Sequence, residues 1–515
     1  MNQQKPQVVI VGGGPCGLMA ALLLGKSGIS TVLLEKHPGI SRQPKAMGVT
    51  RRTAEIYRQL GLVEKMQEGA LKRPCDAIAT WSRNGLAGEL LGSAPLLEED
   101  YRFSPCSRFH CAQPHNEAVL LEAARAQESV EIHFQTRALD ILQDSNGVTV
   151  KFENPDGSTG TLEAAYLIAA DGDSSPIRES LGIKRHGPGE LGRFVSVFFR
   201  ADYGSHLDGQ RALVANVLGP DFYELFVTVN GDDLWLMHHF LDEGETPQDW
   251  PEEKIRAQVV KASGLPDIPV EILSLSPWVL SPSLSPEWVR GRILFVGDAA
   301  ARVSPSGGLG LNNGIQGVHN LAWKLAAVLQ GEADASLLDT YQAERLPAAK
   351  FTFENSGGNA EEIYAIVSSA MSGDWDTARK LIDQTRRAGA GFGQGFGIVY
   401  ESQAVTPDGT TAKSPADPVN DYIPQGRPGH RAPHAWVERN ASRLSLLDFF
   451  GSGFVLLCGP EADPSRFPCP LHNARIVREG LDFHDPESAW RALYGITASG
   501  GVLVRPDGYI AARSV

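Results

Sequence analysis

The sequence contains no apolar run long enough to cross a membrane. A spanning helix needs about 20 consecutive apolar residues, and the longest helical candidate, residues 18–24, ends at Gly25. The apolar residues 8–11 near the N terminus lead directly into glycines, without the cleavage site of a signal peptide. We therefore expect a protein that makes no membrane contact.

Positive charge and cysteine are also scarce. The chain has 61 acidic and 47 basic residues, and its formal net charge is -14 at pH 7. It lacks the basic surface that phosphate backbones require, so we exclude nucleic acid as a partner. Its 6 cysteines include no CxxC pair and no spacing typical of zinc. These features predict reduced thiols, and therefore a cytoplasmic protein, and no metal site.

The 515 residues suffice for about three domains. Alternating strand and helix patterns are interrupted by strand-like runs on either side of an Asn-Gly turn at residues 230–231, which is typical of a hairpin. We expect an α/β protein whose nucleotide-binding domain is split by an inserted sheet. The predicted units are residues 1–180 with 285–400 and their connecting helices, a sheet domain at 181–284 to which about 75–110 contributes, a linker at 401–433, and a small α/β unit at 434–515.

A glycine motif follows the first predicted strand. Gly12, Gly14 and Gly17 precede an apolar helix, and Glu35 closes the next strand 18 residues after Gly17. Such glycines let backbone N–H groups at a helix N terminus approach a pyrophosphate, and the acidic residue accepts from a ribose 2′-hydroxyl. A carboxylate there disfavours a 2′-phosphate, so the pattern indicates FAD or NAD.

Two further patterns each follow a predicted strand. The first is an Asp-Gly pair at residues 171–172 with Ser175 and Arg178; the second is a Gly-Asp pair at 297–298 with a glycine-rich loop at 307–310. The loop feeds a helix predicted to begin near Asn312, whose N–H groups and dipole suit the pyrimidine edge of a flavin.

In this order the three patterns resemble the class A FAD-dependent aromatic monooxygenases, the family of para-hydroxybenzoate hydroxylase and phenol hydroxylase. The resemblance covers about residues 7–350 and implies a Rossmann-like FAD-binding domain with an inserted β-sheet substrate domain. Residues 434–515 resemble the thioredoxin-like domain of the phenol hydroxylase branch. The redox pair of that domain is absent, because Cys458 and Cys469 are too far apart to form a CxxC site.

The resemblance also implies which residues contact the cofactors. The Asp171 to Arg178 pattern is implicated in binding NADPH or NADH, and Asp298 in binding the ribityl chain of FAD. The complete set of cofactor candidates is Gly12, Gly14, Pro15, Gly17, Glu35, Lys36, Arg42, Gln113, Ala138, Asp171, Arg178, Gly297, Asp298, Pro305, Gly308, Gly310, Leu311 and Asn312.

The implied reaction is hydroxylation of a phenolic or polyketide aromatic. In this family NADPH or NADH reduces FAD, O2 forms a flavin C4a-hydroperoxide, and the electron-rich ring attacks its distal oxygen. Baeyer-Villiger oxidation and epoxidation within the same family stay open. An O2-independent flavin dehydrogenase or a non-catalytic flavin-binding protein is a further alternative, because Ala301 replaces a histidine that the family often has.

Three residues on the predicted hairpin are candidates for the substrate side of the site, namely Tyr223, His238 and His239. A base or hydrogen-bond acceptor near a phenol would make the ring more nucleophilic. Neighbouring strand residues point to opposite faces, so only one of the two histidines can face the pocket. The sequence leaves the choice of nicotinamide cofactor open, and a homodimer is possible.

Overall fold

The protein is described by a computed structural model that covers residues 5–71, 75–95, 100–385, 391–451, 453–467 and 473–515. Cys469, which entered the prediction about a missing redox pair, lies outside these residues. No helix within the described ranges is long and apolar enough to cross a membrane.

The largest core surrounds a six-stranded sheet. Its strands, in spatial order, are Val289–Arg290, Ile293–Phe295, Tyr166–Ala169, Val8–Val11, Thr31–Leu34 and Val130–His133. Neighbours run parallel except for the pair at the Val289 edge. The four central strands are buried along their whole length, as expected for β-branched and apolar runs covered on both faces.

Helices cover this sheet and extend beyond it. The helix that follows the first strand packs against two others, Gln113–Arg125 and Gly310–Leu329. The described helices are Pro15–Lys26, Arg51–Gln59, Val63–Glu68, Gln113–Arg125, Pro176–Ser180, Glu252–Ser263, Gly310–Leu329, Asp339–Met371, Trp375–Thr385, Phe392–Phe396 and Trp490–Tyr494. Short 3-10 turns lie at Gly204–Leu207, Pro247–Asp249, Gly297–Ala299, Ala335–Leu338, Leu446–Phe449 and Pro464–Arg466.

A second large sheet has seven strands. In spatial order they are Glu271–Leu280, Gly192–Arg200, Leu234–Phe240, Tyr223–Thr228, Ala212–Leu218, Ala77–Arg83 and Glu89–Pro95. Only the pair Ala212–Leu218 and Ala77–Arg83 runs parallel among these neighbours. One face packs on helix Glu252–Ser263 through residues that include Phe199 and Met237. The opposite face is partly covered by helix Asp339–Met371 through Leu218 and Ile366, and other residues of this face line a cleft.

Smaller sheets complete the described fold. A three-stranded antiparallel sheet and two-stranded pairs flank the large sheets, and a four-stranded sheet lies near the C terminus. Their strands are Thr159–Ala164, Val148–Glu153 and Arg137–Gln143; Gly48–Val49 with Phe109–His110; Ser283–Leu284 with Ala301–Arg302; Trp436–Arg439 with Ser442–Ser445; and Arg475–Arg478, Val455–Cys458, Gly501–Val504 and Ile510–Ser514.

The C-terminal part is attached through buried ion pairs. Arg431, at the end of the predicted linker, pairs with Glu55 of helix Arg51–Gln59, and both side chains are buried. The predicted linker at 401–433 has no helix or named strand among its residues, all of which are described, yet it packs on the rest of the protein. The domain boundaries themselves stay a prediction.

Candidate active site

One large cleft lies between the two large sheets. Its volume is about 2650 Å³, and its lining includes Gly14 and Asp298 on one side and Phe194, His238 and Trp278 on the other. The first side is the carboxyl edge of the parallel strands, where ligands of open α/β sheets bind. Pockets for a single small molecule have about 300–1,000 Å³, so this cleft is large enough for a dinucleotide and a second ligand.

The first glycine motif forms a tight turn at this edge. Gly12 has a φ of +108°, and a Cβ there would lie 2.2 Å from the carbonyl oxygen of Ala170. A Cβ on Gly17 would lie 1.9 Å from the carbonyl oxygen of Gly12. Gly14 differs, because its Cβ would meet no protein atom within 4 Å and would project into the cleft. The following helix, Pro15–Lys26, has no side-chain cap, so its first N–H groups are available to an anion.

Glu35 closes this turn from the second strand. Its Oε2 accepts a hydrogen bond from the Gly13 N–H at 2.6 Å, and its Oε1 accepts one from the His37 N–H at 2.7 Å. A carboxylate has about four lone-pair sites, so further donors can still bind. The neighbouring Lys36 is exposed to solvent, whereas Pro15 lines the cleft.

Asp171 organises the second motif. It accepts hydrogen bonds from the Ser175 hydroxyl at 2.7 Å and from the Ile177 N–H at 3.1 Å. Burial raises the pKa of Asp171 against the effect of these donors. Arg178 is buried and donates to the carbonyl oxygens of Ser174 at 3.0 Å and Ala299 at 3.2 Å. It therefore joins this loop to the turn after Gly297, and its role in NADPH or NADH binding stays a prediction.

The third motif supplies much of the cleft wall. Pro305, Gly308, Gly310 and Leu311 all line the cleft. The helix begins at Gly310, earlier than the predicted start near Asn312. Gly308 has a φ of +66°, and a Cβ there would meet no protein atom within 4 Å, so its backbone is open to a ligand.

Two residues of this motif differ in their surroundings. Asp298 opens into the cleft, where desolvation and the nearby charge of Asp173 raise its pKa. Asn312 is buried and accepts from the Thr50 N–H at 2.9 Å, while its amide donates to the carbonyl oxygens of Gly48 at 2.9 Å and Gly308 at 2.8 Å. Asn312 thus joins the loop at Gly308 to the segment that contains Gly48 and Thr50.

The opposite wall is aromatic. The rings of Phe194 and Trp278 stack with centroids 4.5 Å apart and an interplanar angle of 11°. Tyr223 and Phe240 lie 4.8 Å apart on the same face. Such a wall binds a planar ring system by burying apolar area.

Tyr223 and His238 both reach this wall. The Tyr223 hydroxyl donates to Asn216 Oδ1 at 2.8 Å, and burial raises the pKa of Tyr223. Nδ1 of His238 lies 2.7 Å from the Ser196 hydroxyl oxygen, and burial lowers the pKa of His238 to about 4. The imidazole is therefore neutral and weakly basic near neutral pH.

His239 faces the other side of the sheet. Its Nδ1 lies 2.7 Å from Glu224 Oε1, and its ring lies 3.7 Å from that of Trp250, next to helix Glu252–Ser263. An extension of the cleft reaches this side. The alternation predicted for the two histidines is present, and it places His238, not His239, on the aromatic wall.

Comparison with known proteins decides the family. The FAD binding domain family matches residues 5–356, and the aromatic-ring hydroxylase C-terminal family matches residues 425–515. The chain is 34% identical to tetracenomycin A2 monooxygenase-dioxygenase of Streptomyces glaucescens, with 100% of this chain and 94% of that protein aligned. This chain belongs to the FAD-dependent aromatic monooxygenases.

Two solved structures are similar to this monooxygenase over its whole length. The flavin-dependent monooxygenase PieE in complex with FAD and substrate has a TM-score of 0.92 at 28% identity, covering 100% of this chain and 96% of that chain. A ternary complex of aklavinone-11 hydroxylase with FAD and aklavinone has a TM-score of 0.86 at 32% identity, with the same coverage. These findings confirm the predicted fold class, the FAD cofactor and the monooxygenase class.

The geometry of this monooxygenase fits FAD. The open backbone at Gly14 and the uncapped helix N terminus would suit the pyrophosphate, and the open backbone at Gly308 would allow contact with the flavin. Gln113 lines the cleft, accepts from the Ala46 N–H at 3.2 Å and donates to Glu117 at 2.6 Å.

Arg42 and Ala138 are among the predicted cofactor residues that do not line the cleft. Arg42 is exposed, and Ala138 is half-buried in strand Arg137–Gln143, packed against the main core. Their predicted contacts with FAD stay predictions.

Sequence reasoning missed several residues of the monooxygenase site. Lys45 and Arg302 line the cleft, and both lower the pKa of Asp298 in opposition to desolvation. Arg302 directly follows Ala301, where the chain departs from the family pattern. A charged residue at this position could therefore have been predicted to belong to the site. Ser196 and Trp278 lie on strands whose pairing no local pattern indicated.

Proposed function

We propose that this monooxygenase hydroxylates a phenolic ring of a fused polycyclic aromatic substrate, with NADH or NADPH as electron donor. The observation that supports this proposal is the aromatic wall, which faces the flavin motifs across a cleft of about 2650 Å³. A single phenol would cover little of that wall. Relatives named for tetracenomycin and aklavinone are consistent with a large aromatic substrate.

Each side of the cleft has a distinct task. FAD, when bound, supplies the transfer of electrons from the nicotinamide and the activation of O2. The turn at Gly12 to Gly17, Asp298 and Gly308 would hold it at the edge of the parallel sheet. The stacked rings of Phe194 and Trp278 would orient the substrate and exclude water, which limits the loss of reducing equivalents to H2O2.

Substrate-stimulated oxidation of NADH and NADPH tests the proposal. The purified holoenzyme is assayed with single-ring phenols and with fused tri- and tetracyclic phenols under ¹⁸O2, with H2O2 measured in parallel. We expect stimulation by the polycyclic compounds and incorporation of one ¹⁸O atom. Incorporation into single-ring phenols alone would contradict the substrate class. Oxidation of substrate without ¹⁸O incorporation would support the dehydrogenase alternative.

Product analysis separates the remaining alternatives. Ring hydroxylation keeps the carbon skeleton, whereas Baeyer-Villiger oxidation converts a ketone into an ester and epoxidation removes a double bond.

A matched pair of variants tests the aromatic wall. Phe194→Leu should raise KM and the share of H2O2, because it removes the ring that stacks on Trp278. Leu139→Ala, at an exposed position on a different sheet, should change neither quantity.

A further inference from the structure

Three side chains form a hydrogen-bonded row across the aromatic wall. The indole Nε1 of Trp278 donates to the Ser196 hydroxyl oxygen at 2.8 Å, and that oxygen lies 2.7 Å from Nδ1 of His238. Ser196 is directly paired with His238 in the sheet register and belongs to the strand between the other two. The stack of Trp278 on Phe194 fixes the orientation of the indole.

The donors and acceptors in this row determine the direction of its hydrogen bonds. An indole N–H can only donate, whereas a hydroxyl has one proton and two acceptor sites. Ser196 must therefore accept from Trp278, and His238 Nδ1 is the acceptor within reach of the Ser196 proton. Were Nδ1 protonated, both neighbours would donate to Ser196, and its own proton would lack that acceptor in a buried position.

The protonation of the other ring nitrogen follows. His238 is neutral near pH 7 because burial lowers its pKa to about 4, so only one ring nitrogen holds a proton. With Nδ1 accepting from Ser196, that proton resides on Nε2. Among the described residues, none is hydrogen-bonded to this nitrogen, and His238 lines the cleft.

We propose that Trp278 and Ser196 fix His238 as the Nε2–H tautomer, which donates a hydrogen bond to a carbonyl oxygen of the aromatic substrate. His238 would then be a substrate-contacting donor instead of the base expected from the sequence, and Ser196 and Trp278 would be positioning residues. The inference rests on the proposed function for its substrate. The inference adds that the substrate has an oxygen atom that accepts a hydrogen bond from His238 Nε2. This bond would orient the ring relative to the flavin.

The tautomer can be measured without turnover. Long-range ¹H–¹⁵N spectra of holoenzyme labelled at its 13 histidines distinguish the two neutral tautomers and the imidazolium, and His238→Gln identifies the signals of His238. We expect the Nε2–H form at pH 7 in the unmodified enzyme and a mixture of tautomers in Ser196→Ala. The Nδ1–H form or the imidazolium in the unmodified enzyme would overturn the proposal, as would an unchanged tautomer in Ser196→Ala.

Two further variants keep this test decisive. Trp278→Phe removes the N–H donor and the five-membered ring of the indole but retains a six-membered aromatic ring that can stack on Phe194. It should also give a mixture of tautomers, which keeps the test available if Ser196→Ala fails to fold. Ser276→Ala is the matched control, because Ser276 pairs with Ser196 across the sheet but is outside the row. Its His238 signals should match those of the unmodified enzyme.

A kinetic comparison tests the contact with the substrate. Ser196→Ala should lower kcat/KM about tenfold or more for a ring system with a carbonyl, and little for the matched compound without that oxygen. Ser196→Thr retains the hydroxyl and should therefore restore kcat/KM for the compound with the carbonyl. An equal loss for both compounds would overturn the proposed contact. If the unmodified enzyme turned over none of the compounds, the proposed function would be refuted. The tautomer measurement would still test the proposed protonation of His238.

Discussion

Glu344 and Arg505 are joined by two parallel hydrogen bonds, from Nη1 to Oε1 at 2.7 Å and from Nη2 to Oε2 at 2.9 Å, with both side chains fully buried. Lys324 donates to the same carboxylate at 2.7 Å, and Arg505 also pairs with Asp507. Burial alone would raise the pKa of Glu344, but Arg505 and Lys324 hold it well below its usual range. This cluster connects helix Asp339–Met371 to the C-terminal sheet.

Removal of Arg505 should destabilise the whole protein. Arg505→Met leaves the carboxylates of Glu344 and Asp507 buried with less compensating charge, and breaking such a pair costs about 3–5 kcal/mol. Urea unfolding followed by fluorescence would measure the change in the free energy of unfolding. Glu122→Gln removes one partner of the exposed pair with Lys65 and should have no measurable effect. Equal effects of the two variants would contradict the prediction.

Gly14 and Gly17 should respond differently to alanine. Gly17→Ala places a Cβ 1.9 Å from a backbone oxygen, so we expect loss of both stability and FAD. Gly14→Ala meets no protein atom within 4 Å, so we expect unchanged thermal stability of the flavin-free protein and at least about tenfold weaker FAD binding. Fluorescence titration with FAD and thermal unfolding measure the two effects. Undiminished FAD affinity in Gly14→Ala would contradict the placement of the pyrophosphate.

Substitution of Arg178 should weaken the binding of FAD more than that of NADH or NADPH. Arg178→Lys cannot reproduce the two donors that reach the carbonyl oxygens of Ser174 and Ala299. The turn after Gly297 should loosen, and the ratio of bound flavin to protein should fall during dialysis. Arg137→Lys, at an exposed position, is the control. A higher KM for NADH or NADPH with unchanged FAD retention would instead support a direct role in nicotinamide binding.

Buried histidines should make the protein sensitive to acid. Burial lowers the pKa of His110, His238 and His434 to about 4 and that of His319 to about 3. In the unfolded chain these rings bind protons near pH 6.5. Between pH 6.5 and 4 the unfolded state therefore binds more protons, so stability decreases as the pH is lowered.

The slope of this pH dependence is measurable. Each such ring contributes about 1.4 kcal/mol per pH unit within the window. His319→Gln should therefore make the fall in the free energy of unfolding between pH 6 and 4.5 shallower by about that amount. His206→Gln, at an exposed position, should leave the slope unchanged. Parallel slopes in His319→Gln and the unmodified protein would contradict the prediction.

Much of the flavin edge could be predicted because its signals are local. The strand predicted before the Asp-Gly pair at 171–172 is observed at Tyr166–Ala169. Glu35 was expected at the end of the second strand, and it contacts the Gly13 N–H within the same β-α-β unit. The helix start at Gly310 was missed because glycine and asparagine have low helix propensity. Asn312 donates hydrogen bonds to the carbonyl oxygens of Gly308 and Gly48, which connect the first turn of this helix to two neighbouring segments.

The sequence by itself determined the family, the cofactor and the order of the three flavin motifs, since each depends on residues close together in the chain. It also determined that His238 and His239 point to opposite faces, which follows from strand geometry. Only the tertiary structure decided that His238 lines the aromatic wall of the cleft, because helix Glu252–Ser263 covers the other face. The row from Trp278 through Ser196 depends on strand pairings between distant segments, for which a linear sequence has no local signal.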